Sequence, residues 1–212
     1  PYSSVSLQLG TDPGKDASIY NNQPTTNFGG GDNAVLKGWF IVWFYKNQLL
    51  QFDLPSSIPT NAHIVSAQLQ LYQKSGSGNG DVTAHRLTRS WVEGTKNGSG
   101  TADGANWTKY DGTNAWTTVG GDYDTTAIST STVSSGSDII ASFEIAPLVQ
   151  DWLNGKYVNN GLLIKAEGMV SPSFASKEDA TASKRPKLII TYTCECGQVC
   201  EATPSCDAEY TP

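Results

Sequence analysis

Alternation of hydrophobic and polar residues predicts β-strands along much of this chain, and the clearest case spans residues 49–73. Its first part, residues 50–54, has an apolar side chain at every second position, and residues 64–71 again separate an apolar face from a glutamine-rich one. This period is typical of strands with one face on a core and one in water. Pro55 and Pro59 end the first strand, since proline cannot donate a ladder hydrogen bond. We expect an antiparallel pair within a β-sandwich.

Further strands and one helix follow from the same kind of pattern. Residues 145–153 have apolar side chains at helical spacing, with Pro147 in the first turn and Asn154 and Gly155 after the last. The remaining strands are predicted at residues 1–10, 17–20, 82–87, 139–145, 162–166 and 187–192. The expected fold class is therefore all-β, an antiparallel sandwich with one short helix.

Two segments depart from simple alternation in ways that suggest contacts with other molecules. The strand at residues 1–10 is either the first edge strand of the sandwich or an arm that completes a neighbouring subunit's sheet. The apolar run at residues 39–45 is either a strand buried on both faces or an exposed patch that meets a subunit, a surface or a sugar ring. The candidate assembly residues are Val5, Leu7, Leu9, Trp39, Phe40, Trp43, Phe44 and Tyr45.

A long polar, glycine-rich excursion at residues 94–121 carries aromatic side chains, and loops of this length are usually functional or packed over a core. Rings presented flat beside amides and carboxylates suit a glycan, but these rings can equally cap the open end of the sandwich. The candidates are Trp107, Tyr110, Trp116 and Tyr123. Two N-glycosylation sequons, at Asn97 and Asn106, favour a surface location for the excursion.

Composition and charge exclude several function classes. With 212 residues the chain has room for one large all-β domain or for one domain and a small appendage. A net charge of −6 argues against nucleic acid and anionic membrane surfaces as partners. No apolar run approaches the roughly 20 residues that span a bilayer, so we expect no membrane insertion. Because the chain starts at Pro1 without methionine, we expect a processed extracellular or cell-surface product.

Cysteine usage divides the chain near residue 193. All four cysteines, Cys194, Cys196, Cys200 and Cys206, lie in the last 19 residues. We expect two local disulfides in an oxidising compartment, with a metal site and inter-chain bridges as the alternatives. The predicted organisation is an N-terminal strand or arm at 1–10, a β-sandwich at 11–193 and a stapled Cys-rich C-terminal tail at 194–212.

Metal and catalytic signatures are sparse. Asp12, Asp16 and Asp32 lie among turn residues and can serve as calcium ligands with loop carbonyls, although solvated turn aspartates are the alternative. Neither His63 nor His85 has metal-ligand spacing, and no Gly-x-Ser-x-Gly elbow occurs. We therefore predict no catalytic residues, and calcium is the one cofactor considered.

The order of several short motifs resembles that of a known family. The motifs are LLQFDLPSSIP, VSAQLQLY, SWVEG, ANWTKY, FEIAPLVQDWLNGKYVNNGLLIKAEG and FASKEDATASKRPKLIITY. Together they resemble the DNRLRE domain, also described as a family-96-type carbohydrate-binding module, over about residues 12–193. The resemblance implies a jelly-roll-type sandwich in an extracellular protein, with glycan binding or surface anchoring rather than catalysis.

Two hypotheses about function follow. The N-terminal strand, the apolar run and the Cys-rich tail lie outside the family pattern and suit a self-assembling structural subunit of a surface layer or filament. The alternative is a polysaccharide-binding module that targets or anchors to glycan. The expected partners are therefore copies of the chain itself, polysaccharide, or both.

Overall fold

The protein folds into two antiparallel sheets that pack face to face. The structure is a computed structural model, and it describes residues 2–38, 44–99 and 102–194. This arrangement confirms the predicted all-β, jelly-roll-type sandwich with one short helix. Three cysteines of the predicted tail, Cys196, Cys200 and Cys206, lie outside the described residues. In chain order the elements are β1 (Tyr2–Gln8), β2 (Gly14–Tyr20), β3 (Asn33–Val35), β4 (Lys46–Phe52), β5 (His63–Ser77), β6 (Gly80–Arg86), β7 (Ser129–Val133), β8 (Ile139–Glu144), α1 (Ala146–Leu153), β9 (Leu162–Ala166), β10 (Ser171–Ala175) and β11 (Lys187–Thr193).

The strands divide into a six-stranded and a five-stranded sheet. The first sheet has the order β1-β11-β5-β10-β3, and β8 also pairs with β5. The second sheet has the order β2-β4-β9-β6-β7. The main core lies between them, where Leu50 and Phe52 of β4 belong to the same buried cluster as Leu69 and Leu71 of β5. Truncating one of these buried leucines to alanine would cost about 2–5 kcal/mol.

The expected antiparallel pair within residues 49–73 does not form. β4 belongs to the second sheet and β5 to the first, so the two strands face each other across the core instead of sharing hydrogen bonds. Their alternation was interpreted correctly, because one face of each strand is buried. The pairing was wrong because the connection at residues 53–62 contains Pro55 and Pro59 and crosses from one sheet to the other. Hairpin loops are usually only two to five residues long.

A bulge in β5 explains its uneven apolar spacing. Against β11, the register shifts so that Thr191 is opposite Ser66 and Tyr192 is opposite Ile64. Val65 is the extra residue and is 45% exposed. A bulge of this kind lets two residues three positions apart face the same side. Ile64 and Ala67 therefore both point into the core.

The N-terminal strand is an edge strand of this protein's own sandwich. β1 pairs with β11 over its whole length, from Tyr2 opposite Thr193 to Gln8 opposite Lys187. Leu7 and Leu9 are 5% and 0% exposed, and Val5 packs against the same core. These three assembly candidates therefore contribute to the core of their own chain, and the edge-strand interpretation replaces that of a free arm.

Helix α1 packs one face on the first sheet and caps the start of β5. Leu148, Val149 and Trp152 are its buried residues. The Gln150 side chain accepts a hydrogen bond from the Ile64 amide at 2.8 Å and donates one to the Ala62 carbonyl at 3.1 Å. The helix has eight residues, and none in the described chain is long and apolar enough to cross a membrane.

Candidate functional site

A long loop covers part of the outer face of the second sheet. Strand alternation turns Leu50 and Ile164 into the main core and their neighbours Leu49 and Leu163 outward. The long loop, residues 88–128, packs over these outward side chains and buries Trp91, Trp116 and Ala105 against them. The covering loop therefore builds a second hydrophobic cluster on the face that a sandwich usually leaves to solvent.

A polar row crosses the sheet beside this second cluster. Asn47 of β4 pairs with Lys165 of β9, and Lys165 pairs with Thr83 of β6. By alternation these residues point to the same outer side as Leu49 and Leu163. The row thus offers an amide, an ammonium and a hydroxyl at neighbouring positions on rigid strands.

The segment at residues 117–123, named here the binding loop, lies directly on the polar row. The Asn47 amide donates to the Gly120 carbonyl at 3.3 Å. Gly120 has a φ of +91°, and a Cβ there would stand 2.9 Å from the Trp107 ring. The left-handed conformation and the close approach both favour glycine at this position. The Gly120 amide donates to the Trp107 carbonyl at 2.8 Å, which fixes that tryptophan to the loop.

Asp122 holds the binding loop in its conformation. Its carboxylate accepts hydrogen bonds from the Thr117 amide at 3.0 Å, the Thr118 amide at 2.9 Å and Arg89 Nε at 2.6 Å. Burial opposes ionisation of this carboxyl, but the three donors outweigh burial and hold the pKa of Asp122 below its ordinary value. An ionised Asp122 is therefore part of the folded loop at neutral pH.

Two open clefts lie on either side of the binding loop and share Thr118 and Tyr123. The first, named the aromatic cleft, has a volume of about 300 Å³ and combines Trp107, Tyr123 and Tyr45 with Asn47 and Lys165 of the polar row. The second, named the arginine cleft, has a volume of about 350 Å³ and contains Arg89 and Asp122. Together they form a shallow surface of partly exposed rings next to hydrogen-bonding groups.

The four aromatic candidates have different positions in the structure. Trp107 and Tyr123 are partly exposed and line the aromatic cleft. Trp116 is 4% exposed and donates its indole N–H to the Asn106 carbonyl at 2.9 Å, so its ring faces are not available to a ligand. Tyr110 packs edge-on against Trp116 at 5.9 Å between ring centroids. Two of the four rings therefore meet at a cleft, and the other two support the loop.

His85 contacts both Tyr123 and Thr83, a residue of the polar row. Its ring stands edge-on to Tyr123, with 5.1 Å between centroids. Nδ1 lies 2.9 Å from the Asp124 carbonyl, which can only accept, so Nδ1 carries the proton. Burial lowers the pKa of His85, and the Asp124 carbonyl offsets this only in part. Lys165, Glu167 and the Asp124 carboxylate are the charged groups that face it.

Other predicted surface residues are distributed over several parts of the fold. Asn97 is exposed, whereas Asn106 is 1% exposed and accepts three hydrogen bonds within the loop, which leaves its amide no path to solvent.

In the apolar run, Phe44 and Tyr45 are 40% and 37% exposed, and Tyr45 lines the aromatic cleft. Trp39, Phe40 and Trp43 lie outside the described residues.

The three calcium candidates do not come together. Asp12 accepts a hydrogen bond from the Gln8 amide at 2.7 Å, and Asp32 is exposed beside Asn33. Asp16 is instead buried in the edge strand β2 beside two glutamates, Glu93 and Glu178, which the sequence did not suggest as its partners. Asp16 and its two glutamate neighbours therefore lie outside the set of residues that line the aromatic cleft.

Comparison with known proteins links this architecture to one family. A family model described as carbohydrate-binding module family 96 matches residues 8–192, which is most of the chain. The match includes β2 to β10 in full, all of β11 except Thr193, and only Gln8 of β1. A search of curated proteins finds no match.

Proposed function

Because the chain belongs to carbohydrate-binding module family 96, we propose that it is a non-catalytic extracellular module that binds polysaccharide in the aromatic cleft. Modules of such families bind carbohydrate and generally do not cleave it. The observation that carries the choice of site is the juxtaposition of Trp107 and Tyr123 with Asn47 and Lys165 in one open cleft.

The chemistry of this cleft suits a sugar. A pyranose ring has an apolar face of C–H groups and a rim of hydroxyls, so it needs a flat ring below and hydrogen-bonding groups at the side. Trp107 and Tyr123 supply partly exposed aromatic surface. Lys165 is partly exposed and supplies donors on a rigid strand, although it also contacts Glu167 at 3.1 Å, and the exposed Thr118 hydroxyl can donate or accept. Asn47 is 7% exposed and donates to the Gly120 carbonyl, so it positions the loop at the floor of the cleft. Because the cleft is open to solvent, it fits an internal segment of a polymer better than a single enclosed small ligand.

The proposal is tested by screening soluble neutral and acidic polysaccharides for retardation of the protein in affinity gel electrophoresis. Trp107→Ala should weaken binding to any polysaccharide that retards the wild type. Burying a large apolar side chain contributes about 1.5–3 kcal/mol, and because Trp107 is already partly buried we expect the lower end, about tenfold in Kd. Tyr2→Ala is the matched control, since Tyr2 is 74% exposed on the first sheet. No retardation by any polysaccharide, or equal retardation of the two variants, would refute this site.

Self-assembly is a second candidate function, favoured by the outer edge of β1. In the described part of the chain β1 pairs only with β11, without a register shift, and it is the end strand of the first sheet. Edge strands are usually protected by charges, prolines or bulges. β1 contains no charged residue and no proline. An edge of this kind can accept a strand from another copy of the chain.

Sedimentation velocity over a wide concentration range tests the assembly proposal. We expect the wild type to associate as concentration rises and the double variant Ser4→Lys, Ser6→Lys to remain monomeric, because two charges on the edge strand oppose strand addition. Ser135→Lys, in an exposed loop, is the control for added charge. A wild type that is monomeric at every concentration contradicts this candidate.

A further inference from the structure

Three carboxylates from distant parts of the sequence meet beside β2, an edge strand of the second sheet. Asp16 lies in β2, Glu93 at the start of the long loop, and Glu178 in the turn that follows β10. Each offers a carboxylate oxygen, and these three oxygens all lie within 4.8 Å of one another. The cluster is named here the carboxylate triad. None of its members lines either cleft described above.

Asp16 is the buried member of the triad, and one of its two carboxylate oxygens has no hydrogen-bond partner in the described part of the chain. The residue is 2% exposed. Its Oδ2 accepts a hydrogen bond from the Lys177 amide at 3.0 Å, whereas its Oδ1 is buried and accepts none from any described residue. A buried carboxylate oxygen without a donor or cation is costly in a folded protein. This oxygen therefore indicates a ligand in the triad.

The charges in direct contact leave a deficit of positive charge. The Lys177 ammonium contacts Glu93 Oε2 at 2.8 Å and Glu178 Oε1 at 3.5 Å. Three carboxylates and one ammonium sum to −3 + 1 = −2, the charge that one divalent cation balances.

We propose that Asp16, Glu93 and Glu178 bind one divalent cation, and that Ca²⁺ is the ion they fit best. Hard carboxylate oxygens select Ca²⁺, Mg²⁺ or Mn²⁺ over softer metals. Calcium–oxygen bonds are about 2.3–2.6 Å long, so one ion can bridge oxygens that are up to about 4.8 Å apart. Ca²⁺ also accepts irregular sets of six to eight oxygens, and backbone carbonyls and water can complete a set that starts with three side chains.

The ion would act as a structural cross-link. It would join an edge strand of the second sheet to the turn after β10 of the first sheet and to the first residues of the long loop. Glu93 is already connected to both partners, because its Oε1 accepts from the Asp16 amide at 2.8 Å and its Oε2 from Lys177. The cation would therefore stabilise the base of the loop that carries Trp107, without contacting the aromatic cleft.

Calcium titration of metal-stripped protein tests the site independently of any glycan. Isothermal titration calorimetry should detect one Ca²⁺ per chain. Thermal unfolding should show a Tm higher than in EDTA by about 5–10 °C at a calcium concentration 100-fold above Kd. Absence of calcium binding heat, together with the same Tm in calcium and EDTA, overturns the proposal.

Three variants separate a cation site from a plain ion-pair network. Asp16→Asn should weaken calcium binding at least tenfold and remove the Tm response, whereas Asp12→Asn, the matched control four residues away, should keep both. Lys177→Gln should tighten calcium binding, because the ammonium competes for Glu93 and Glu178. In an ion-pair network without a cation, Lys177→Gln would lower Tm equally with and without calcium. That outcome, or an Asp16→Asn variant with the wild-type calcium response, contradicts the assignment.

Discussion

Asp122 offers a direct test of how the binding loop is held. Its carboxylate accepts hydrogen bonds from two backbone amides, Thr117 and Thr118, and from Arg89. Asp122→Asn preserves the shape of the side chain but leaves one acceptor oxygen and places an NH₂ group where the second oxygen stood. In either orientation of the amide, at least one backbone N–H of the loop faces a donor instead of an acceptor.

The expected cost follows from that lost acceptor. Asp122 is 8% exposed, so the unpaired N–H is largely shielded from water. Leaving a buried donor unsatisfied costs about 1–3 kcal/mol. A middle value of about 2 kcal/mol lowers Tm by about 4–8 °C for a chain of this size. If the loss falls on the loop alone, the binding-competent fraction drops by up to about 30-fold, so the Kd for polysaccharide should rise between about threefold and 30-fold.

The effect of Asp122→Asn should also depend on pH in a defined direction. The pKa of Asp122 is lowered from the ordinary value of 3.8, so the stability that its ionised form contributes is fully present above that value. This stability is lost as pH falls through the lower folded pKa. Urea unfolding at a series of pH values should therefore give a gap between wild type and variant that is constant near neutrality and closes below pH 3.8.

Asp111→Asn is the matched control for this experiment. Asp111 also lies in the long loop and also accepts two backbone hydrogen bonds, from Thr113 at 2.8 Å and Asn114 at 2.6 Å, but it lines neither cleft. We expect Asp111→Asn to leave the Kd for polysaccharide unchanged. If Asp122→Asn keeps the wild-type Tm and Kd, or if both variants lose affinity equally, then Asp122 does not organise the cleft.

Three further predictions concern single side chains. Gly120→Ala should lower Tm and weaken polysaccharide binding, because a left-handed alanine costs about 1–2 kcal/mol and its Cβ would stand 2.9 Å from the Trp107 ring. Calorimetry measures the loss of stability and tryptophan fluorescence reports on the ring. An unchanged spectrum and Kd would show that the ring is not displaced. His85→Gln should make the stability of the protein less sensitive to acid. The pKa of His85 is lowered from 6.5, so the wild type loses stability as pH falls below that value. Urea unfolding should therefore give a smaller difference in free energy of unfolding between pH 7.5 and pH 5 for the variant than for the wild type. Gln48→Met should raise Tm by a few degrees, because Gln48 is 0% exposed and neither of its amide atoms is hydrogen-bonded to a residue that the structure describes. Removing an unpaired buried amide is worth about 1–3 kcal/mol, and a lower Tm would show that the amide has a partner such as a buried water.

Local sequence patterns predicted most strands and the helix, because these segments have a clear hydrophobic periodicity or a residue such as glycine or proline at their ends. β9 has the predicted bounds, Leu162–Ala166, since its apolar run is bracketed by Gly161 and a polar turn. The helix begins one residue after its predicted start, at Ala146, where Pro147 suits the first turn. Three strands were missed for identifiable reasons. β3 has only three residues, and β7, STSTV, has almost no apolar side chain. β10 contains Pro172, which argues against a strand on sequence grounds.

The sequence did not predict which strands and side chains that are distant in the chain contact each other in the fold. The long connection at residues 53–62 argues against a tight hairpin, but nothing in residues 49–73 says which sheet each strand enters, because that choice depends on which other strands it pairs with. The same limit applies to the candidate site. Trp107 and Tyr123 were identified from their loop, whereas Lys165 was not, since only the register of β9 against β4 places it beside Asn47. A lysine on the outward face of an otherwise apolar strand was the available signal.

The carboxylate triad illustrates the same point. Asp16 was a sequence candidate, but Asp12 and Asp32 were grouped with it because all three lie among turn residues of one segment. The structure brings Glu93 and Glu178 to Asp16 instead. Carboxylates from distant loops converge only when the sheets are assembled, so their proximity is a property of the fold.

The most direct test of the central claim is an NMR titration of the wild type with an oligosaccharide cut from a polysaccharide that binds it. If the aromatic cleft is the binding site, the Trp107 indole N–H and the backbone amides of Thr118 and Lys165 should shift most. The Tyr2 amide on the first sheet should not move. Saturating shifts confined to the first sheet, or no shifts at millimolar oligosaccharide, would contradict the proposed function of this cleft.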